Sequence, residues 1–164
     1  MKREQHGVTQ ISSWAALDVY KGQTHMLVDS EGIMWVATTK GLNRYDPVYD
    51  RFIRYYSSDS NLYNIIWGML ELDSGELLLA TQGGIALVDK VSRKLISAVT
   101  AIKKIAFLDG VAVKSLAKGA NSSLWFGSTH QGLYRFNLAS KHYERFHFID
   151  CDSVTYTPMT LQTM

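Results

Sequence analysis

The chain has 164 residues, of which 46% are hydrophobic, 20% charged and 12% aromatic. This is one domain's worth of ordinary globular composition, long enough to bury a core and unlike a disordered chain. Its 17 basic and 15 acidic residues leave a formal charge of +2, too balanced for the basic stripe of a nucleic-acid binder.

The chain opens on Met1-Lys2-Arg3 with no apolar run behind it, so this start does not read as a secretory signal. A chain of this kind either stays in the cytoplasm or derives from a longer precursor. No stretch of about 18 apolar residues exists to cross a membrane as a helix. The N-terminal segment, residues 1–23, is expected to be partly strand.

From Thr24 onward the pattern is short β-rich runs broken by turn residues. The first quartet of strands is Thr24–Val28, Ile33–Thr38, Leu42–Tyr45 and Arg51–Tyr56, with Asp46-Pro47 as a turn. The second is Ile65–Leu72, Leu77–Thr81, Ile85–Val88 and Lys94–Ala98. The segment Ile102–Leu108 is the nearest approach to a helix, and it is short. The third quartet is Val111–Ala117, Leu124–Ser128, Leu133–Phe136 and His142–Phe148.

These quartets are copies of one unit. Asp29–Asp46, Asp73–Asp89 and Ala120–Asn137 align on Trp35, Leu78 and Trp125, then on Gly41-Leu42, Gly84-Ile85 and Gly132-Leu133. The spacing of about 45 residues is that of a four-stranded propeller blade. The runs Ile33–Ala37 and Leu77–Ala80 are apolar on both faces, so each must be covered on both sides. Blades stacked around an axis meet that need without helices. The expected fold is therefore all-β, an incomplete β-propeller arc of about three four-stranded antiparallel blades. The blades span about 24–60, 61–100 and 105–148, and 149–164 begins a further blade or a tail. Trp35 and Trp125 are expected in the core. Trp14 and Trp67 are less fixed, and Trp67 has the option of lining the central channel.

The pattern D-x-x-G-x-x-W-V-A-T-x-x-G-L-N-R-Y-D, followed by the aromatic strand Phe52–Tyr56, resembles the two-component regulator propeller repeat. The second copy departs from it at Leu78, in place of Trp, and the third lacks the Asp before the turn. The resemblance implies the sensor region of a bacterial hybrid histidine kinase or diguanylate cyclase, facing the periplasm and commonly binding polysaccharide fragments. A propeller of this family is followed by a further β-domain, a membrane span and an output domain. Three blades do not close a ring, so this chain reads as a fragment. Three blades leave two apolar outward faces, to be closed by missing blades or by self-association.

An up-down-up-down blade puts its tight acidic turns, Asp29–Gly32 and Asp46–Asp50, at one end of the arc. The opposite end gathers Lys40, Gln82, His130 and Gln131 with the connecting segment that carries Asn61, Tyr63 and Asn64. With Trp67, these are the candidate ligand-binding residues, suited to an oligosaccharide or another small polar ligand held by a few placed hydrogen bonds. Turn amides and glycines also serve turns, and that structural role competes at every one of these positions.

No catalytic set is evident. His6, His25, His130, His142 and His147 lack metal-site spacing, and no nucleophile elbow or phosphate loop occurs. Cys151 excludes an internal disulfide and, between Asp150 and Asp152, reads as an inert thiol. No cofactor and no metal are expected. The reading is a non-catalytic, ligand-sensing binding module. The alternatives are a protein–protein interaction scaffold working through open blade edges, and a propeller enzyme (lyase or hydrolase) with no identifiable catalytic residues.

Overall fold

A computed structural model describes residues 22–98 and 103–147. The expectations for residues 1–21, Trp14, Cys151 and the segment 149–164 fall outside them.

The described residues form β-sheet joined by turns. Sheet one holds β1 (Gln23–Val28), β2 (Met34–Thr38), β3 (Gly41–Asp46) and β4 (Arg51–Tyr55). Sheet two holds β5 (Ile66–Glu71), β6 (Leu77–Thr81), β7 (Gly84–Asp89) and β8 (Lys94–Ser97). Sheet three holds β9 (Val113–Lys118), β10 (Ser123–Ser128), β11 (Leu133–Asn137) and β12 (Tyr143–Phe146). Each sheet is an antiparallel meander in strand order. This is the expected arc of three four-stranded blades. The described part of the Ile102–Leu108 run is no α-helix: Lys103–Leu108 makes short 3-10 turns that meet at a kink at Ile105.

The repeat is visible as repeated hydrogen bonds. In the β2–β3 turn, the Thr38 hydroxyl donates to Gly41 O at 2.8 Å and accepts from Lys40 N at 3.0 Å. Thr81 does the same with Gly84 O and Gly83 N, and Ser128 with Gly132 O and Gln131 N. Each turn is thus closed by its own hydroxyl side chain, which supplies both partners the reversing backbone lacks. The β3–β4, β7–β8 and β11–β12 turns are likewise self-capped. Asp46, Asp89 and Asn137 each accept backbone N–H groups two or three residues ahead. Asn137 therefore performs the task of the missing aspartate in the third copy.

Two apolar clusters fill the wedges between neighbouring sheets. Trp35, Leu42, Tyr55, Ile66, Leu77, Leu79 and Leu95 fill the first, and Leu78, Ile85, Leu87, Leu124, Phe126, Tyr134 and Phe136 the second. Sheet two is thereby apolar on both faces, as its sequence requires.

One expectation fails at sheet three. Trp35 is 1% exposed, but Trp125 is only half-buried. Leu124 and Phe126 point into the second wedge, so by strand alternation Trp125 points the other way. There it meets Phe146 at 5.6 Å and the Arg135 guanidinium at 5.6 Å. Trp35 lies in the core because a following sheet covers it, and among the described residues no sheet follows β12. At the other end of the arc, Met26 and Val28 lie on the face away from the core and are 59% and 65% exposed.

Candidate functional site

Aligned turns and inter-blade links build the end of the arc that carries the named residues. Thr39 N donates to Gly22 O, Gln82 N to Ile65 O and Thr129 N to Ala112 O, each at 3.0 Å. Each of these turns is thereby tied to the segment entering the first, inner strand of its own sheet, β1, β5 or β9. The residues between strands thus stand side by side at one end.

Most of the named side chains hold the turns together. Asn64 accepts Ser57 N at 2.7 Å and donates to Ser57 O at 3.0 Å, a two-point clamp on the chain leaving sheet one. Gln131 accepts from the Tyr134 hydroxyl at 2.8 Å, and its carbonyl accepts from Arg145 Nε at 2.7 Å. The Lys40 carbonyl accepts from the Arg54 guanidinium, while the Lys40 side chain is exposed. Asn61 opens the 3-10 turn Asn61–Asn64 and is exposed; Gln82 is half-buried and His130 exposed. His130 shares a shallow hollow with Thr129 and His147.

Tyr63 is a strut. Its ring is buried, and its hydroxyl lies 3.0 Å from Ser97 Oγ and 2.8 Å from Asp109 Oδ1. It ties the entry to sheet two to the exit from that sheet and to the approach to sheet three. Burial raises its phenol above the ordinary range; Ser97 works against this and Asp109 with it. The group is therefore a neutral donor at physiological pH. Replacing Tyr63 by Phe removes these bonds while Asp109, already exposed, regains water. The expected loss is about 1 kcal/mol, read as a lower urea midpoint with an unchanged slope.

Trp67 has a different setting. Each inner strand carries a register shift at the same place, which leaves Thr24, Trp67 and Lys114 out of the ladder. Such bulges re-aim a side chain. The Thr24 hydroxyl reaches the next sheet, donating to Ile66 O at 2.7 Å. The Lys114 ammonium stands 3.1 Å from the centre of the Trp67 ring, a cation on an indole face. The Trp67 Nε1 donor is buried and has no partner among the described residues. Sequence reasoning named Trp67 and missed Lys114. The signal for Lys114 is its place in the repeat, two residues before Leu116 as Trp67 stands two before Met69.

At the opposite end a larger hollow opens between sheets two and three, with a volume of about 440 Å3. No cluster of His, Cys, Asp and Glu capable of holding a metal occurs among the described residues. No helix among them is long and apolar enough to cross a membrane.

No protein-family model matches the chain, and no curated protein matches it. Solved structures do. The extracellular domain of the hybrid two-component system BT4673 from B. thetaiotaomicron is 24% identical, with a TM-score of 0.59 over 75% of this chain and 18% of its own. The extracellular domain of the hybrid two-component system BT3049 from the same organism is 20% identical, with a TM-score of 0.52 over 74% of this chain and 16% of its own. PorZ, a surface component of the type-IX secretion system of Porphyromonas gingivalis, is 14% identical with a TM-score of 0.52. The chain spans less than a fifth of the length of the two extracellular domains. It has the fold of a segment of the extracellular domains of hybrid two-component systems: an arc of three propeller blades.

Proposed function

We propose that the chain is part of the ligand-sensing region of a bacterial signalling receptor, acts without catalysis and works in the periplasm. The supporting observation is the match of about three-quarters of the chain to extracellular domains of two-component systems. The ligand is an oligosaccharide or a similar small polar molecule. It is held at the end that presents Lys40, Asn61, Gln82 and His130, with Trp67 near the start of β5 as a further contact. Tyr63, Asn64 and Gln131 shape this end from behind. A bound ligand transmits a signal by favouring one receptor arrangement over another. Further blades of a longer chain, or a second copy, complete the ring.

A thermal-shift screen with neutral oligosaccharides tests this. A ligand at 100 times its Kd stabilises by about 2.7 kcal/mol, which for a chain of this size raises Tm by roughly 5–10 °C. Trp67→Ala is expected to remove the response. No shift across a broad set would overturn the sugar reading. A second reading, a protein-binding scaffold, draws on the exposure of Met26 and Val28 and the half-covered Trp125 at the two outward faces. It predicts capture of a partner that Val28→Glu or Trp125→Glu abolishes.

A further inference from the structure

The two wedges between sheets are built alike but filled differently. Asp29, Leu72 and Gly119 hold the same place: each directly follows an inner strand, and each backbone N–H donates across the turn, to Ile33 O, Glu76 O and Ser123 O. Trp35 corresponds to Leu78. The residue after the capping Asp89 of β7 is Lys90, and the residue after the capping Asn137 of β11 is Leu138. In the first wedge, Trp35 Nε1 donates to Asp29 Oδ2 at 2.8 Å, and the Lys90 ammonium stands 4.0 Å from the same oxygen. An aromatic ring, a carboxylate and an ammonium thus fill the outer part of that wedge. In the second wedge all three positions are leucine: Leu72, Leu78 and Leu138.

What remains in the second wedge is the 440 Å3 hollow, within the usual size range of small-molecule sites. Leu72, Leu124, Phe136 and Leu138 make its apolar floor. The wall from sheet two carries Asp73 and Glu76; the wall from sheet three carries Lys118 and Lys141. Lys118 Nζ and Asp73 Oδ1 meet across it at 2.6 Å, with the Asp73 side chain 97% exposed. An ion pair so exposed costs little to open.

We propose that this hollow is a binding site for a free aromatic amino acid. The ligand's ring lies on the leucine and phenylalanine floor, its ammonium faces Asp73 and Glu76, and its carboxylate faces Lys118 and Lys141. It supplies to the second wedge the three chemical groups that Trp35, Asp29 and Lys90 supply to the first. This site is at the end of the arc opposite the proposed oligosaccharide site and does not depend on it.

Isothermal titration of the chain with phenylalanine, phenethylamine and 3-phenylpropionate tests the assignment. Phenylalanine is expected to bind, and each analogue, lacking one charge, to bind at least about tenfold more weakly. Glu76→Ala and Lys141→Ala replace exposed side chains that support no core packing, and each is expected to weaken phenylalanine by a similar factor. Absence of heat with phenylalanine at about 1 mM, a Kd far weaker than sensing requires, overturns the proposal. So does equal binding of the three ligands, or binding that ignores both substitutions. A phenylalanine response without an oligosaccharide response, or the reverse, shows which of the two sites fails.

Discussion

Replacing Trp35 by Ala is expected to cost about 3–5 kcal/mol, the usual penalty for deleting a buried aromatic. In a chain of this size that lowers Tm by on the order of 10 °C. The ring is edge-on to Tyr55 at 5.3 Å and packs within the first wedge. Its loss also removes a partner from a fully buried carboxyl group. Asp29 Oδ1 keeps the N–H groups of Glu31 and Ile33, at 3.1 and 2.8 Å, but among the described residues Oδ2 keeps only Lys90 at 4.0 Å. Trp35→Phe separates the two contributions, since it retains most of the apolar volume and loses the N–H. It is expected to fall between wild type and Ala in a urea melt. Trp125→Ala, the same residue type at the same place in the repeat, is expected to cost far less because its ring is only half-covered. Equal losses at the two tryptophans would contradict the packing described here.

Gly84→Ala is expected to destabilise by about 2–4 kcal/mol. Gly84 has φ +123°, a conformation that L side chains avoid, and an added Cβ would stand 2.4 Å from Leu108 O. That carbonyl cannot easily retreat. It accepts from Val111 N, and Gly110 N donates to Gly83 O, so the turn and the connection to sheet three hold each other. Gly75→Ala is the control. Its φ is +80° and nothing lies within 4 Å of the added carbon, so only the backbone cost of about 1 kcal/mol remains. Chemical denaturation of both variants reads the difference, and a Gly84→Ala as mild as Gly75→Ala would show that the Leu108 segment yields.

The strands were legible in the sequence because their signals are local. Gly41, Gly84 and Gly132 mark the reversals, hydroxyl residues close them, and β-branched or aromatic runs lie between. Burial was legible only where a neighbouring sheet is implied. Trp35 and Trp125 have nearly the same surroundings in sequence, and their different exposure is decided by what covers each sheet. At the acidic turn the aspartate stands one residue later in the second copy than in the first, so an alignment of Asp29 with Asp73 hides that Leu72 is the true counterpart. The offset masks the leucine replacements in the second wedge. The candidate site was legible as a set of loops at one end, since strand order dictates it. The partners of Asn64, Gln131 and Tyr63 lie across turns or between sheets, and no spacing rule announces them. Lys114 beside Trp67 escaped notice for the same reason, as it depends on bulges in two different strands.

Each sheet is assembled from strands contiguous in the chain, β1 to β4, β5 to β8 and β9 to β12. Among the described residues no strand is lent to a neighbour as a latch. Units of this kind can be duplicated or deleted whole without rewiring the rest, and stability approximates a sum over units and their shared borders. Nucleation can then begin in whichever unit is locally strongest, and the short loops within each unit favour quick assembly. A substitution at one border, such as that at Trp35, should therefore loosen the two units it joins and leave the distant one protected from hydrogen exchange.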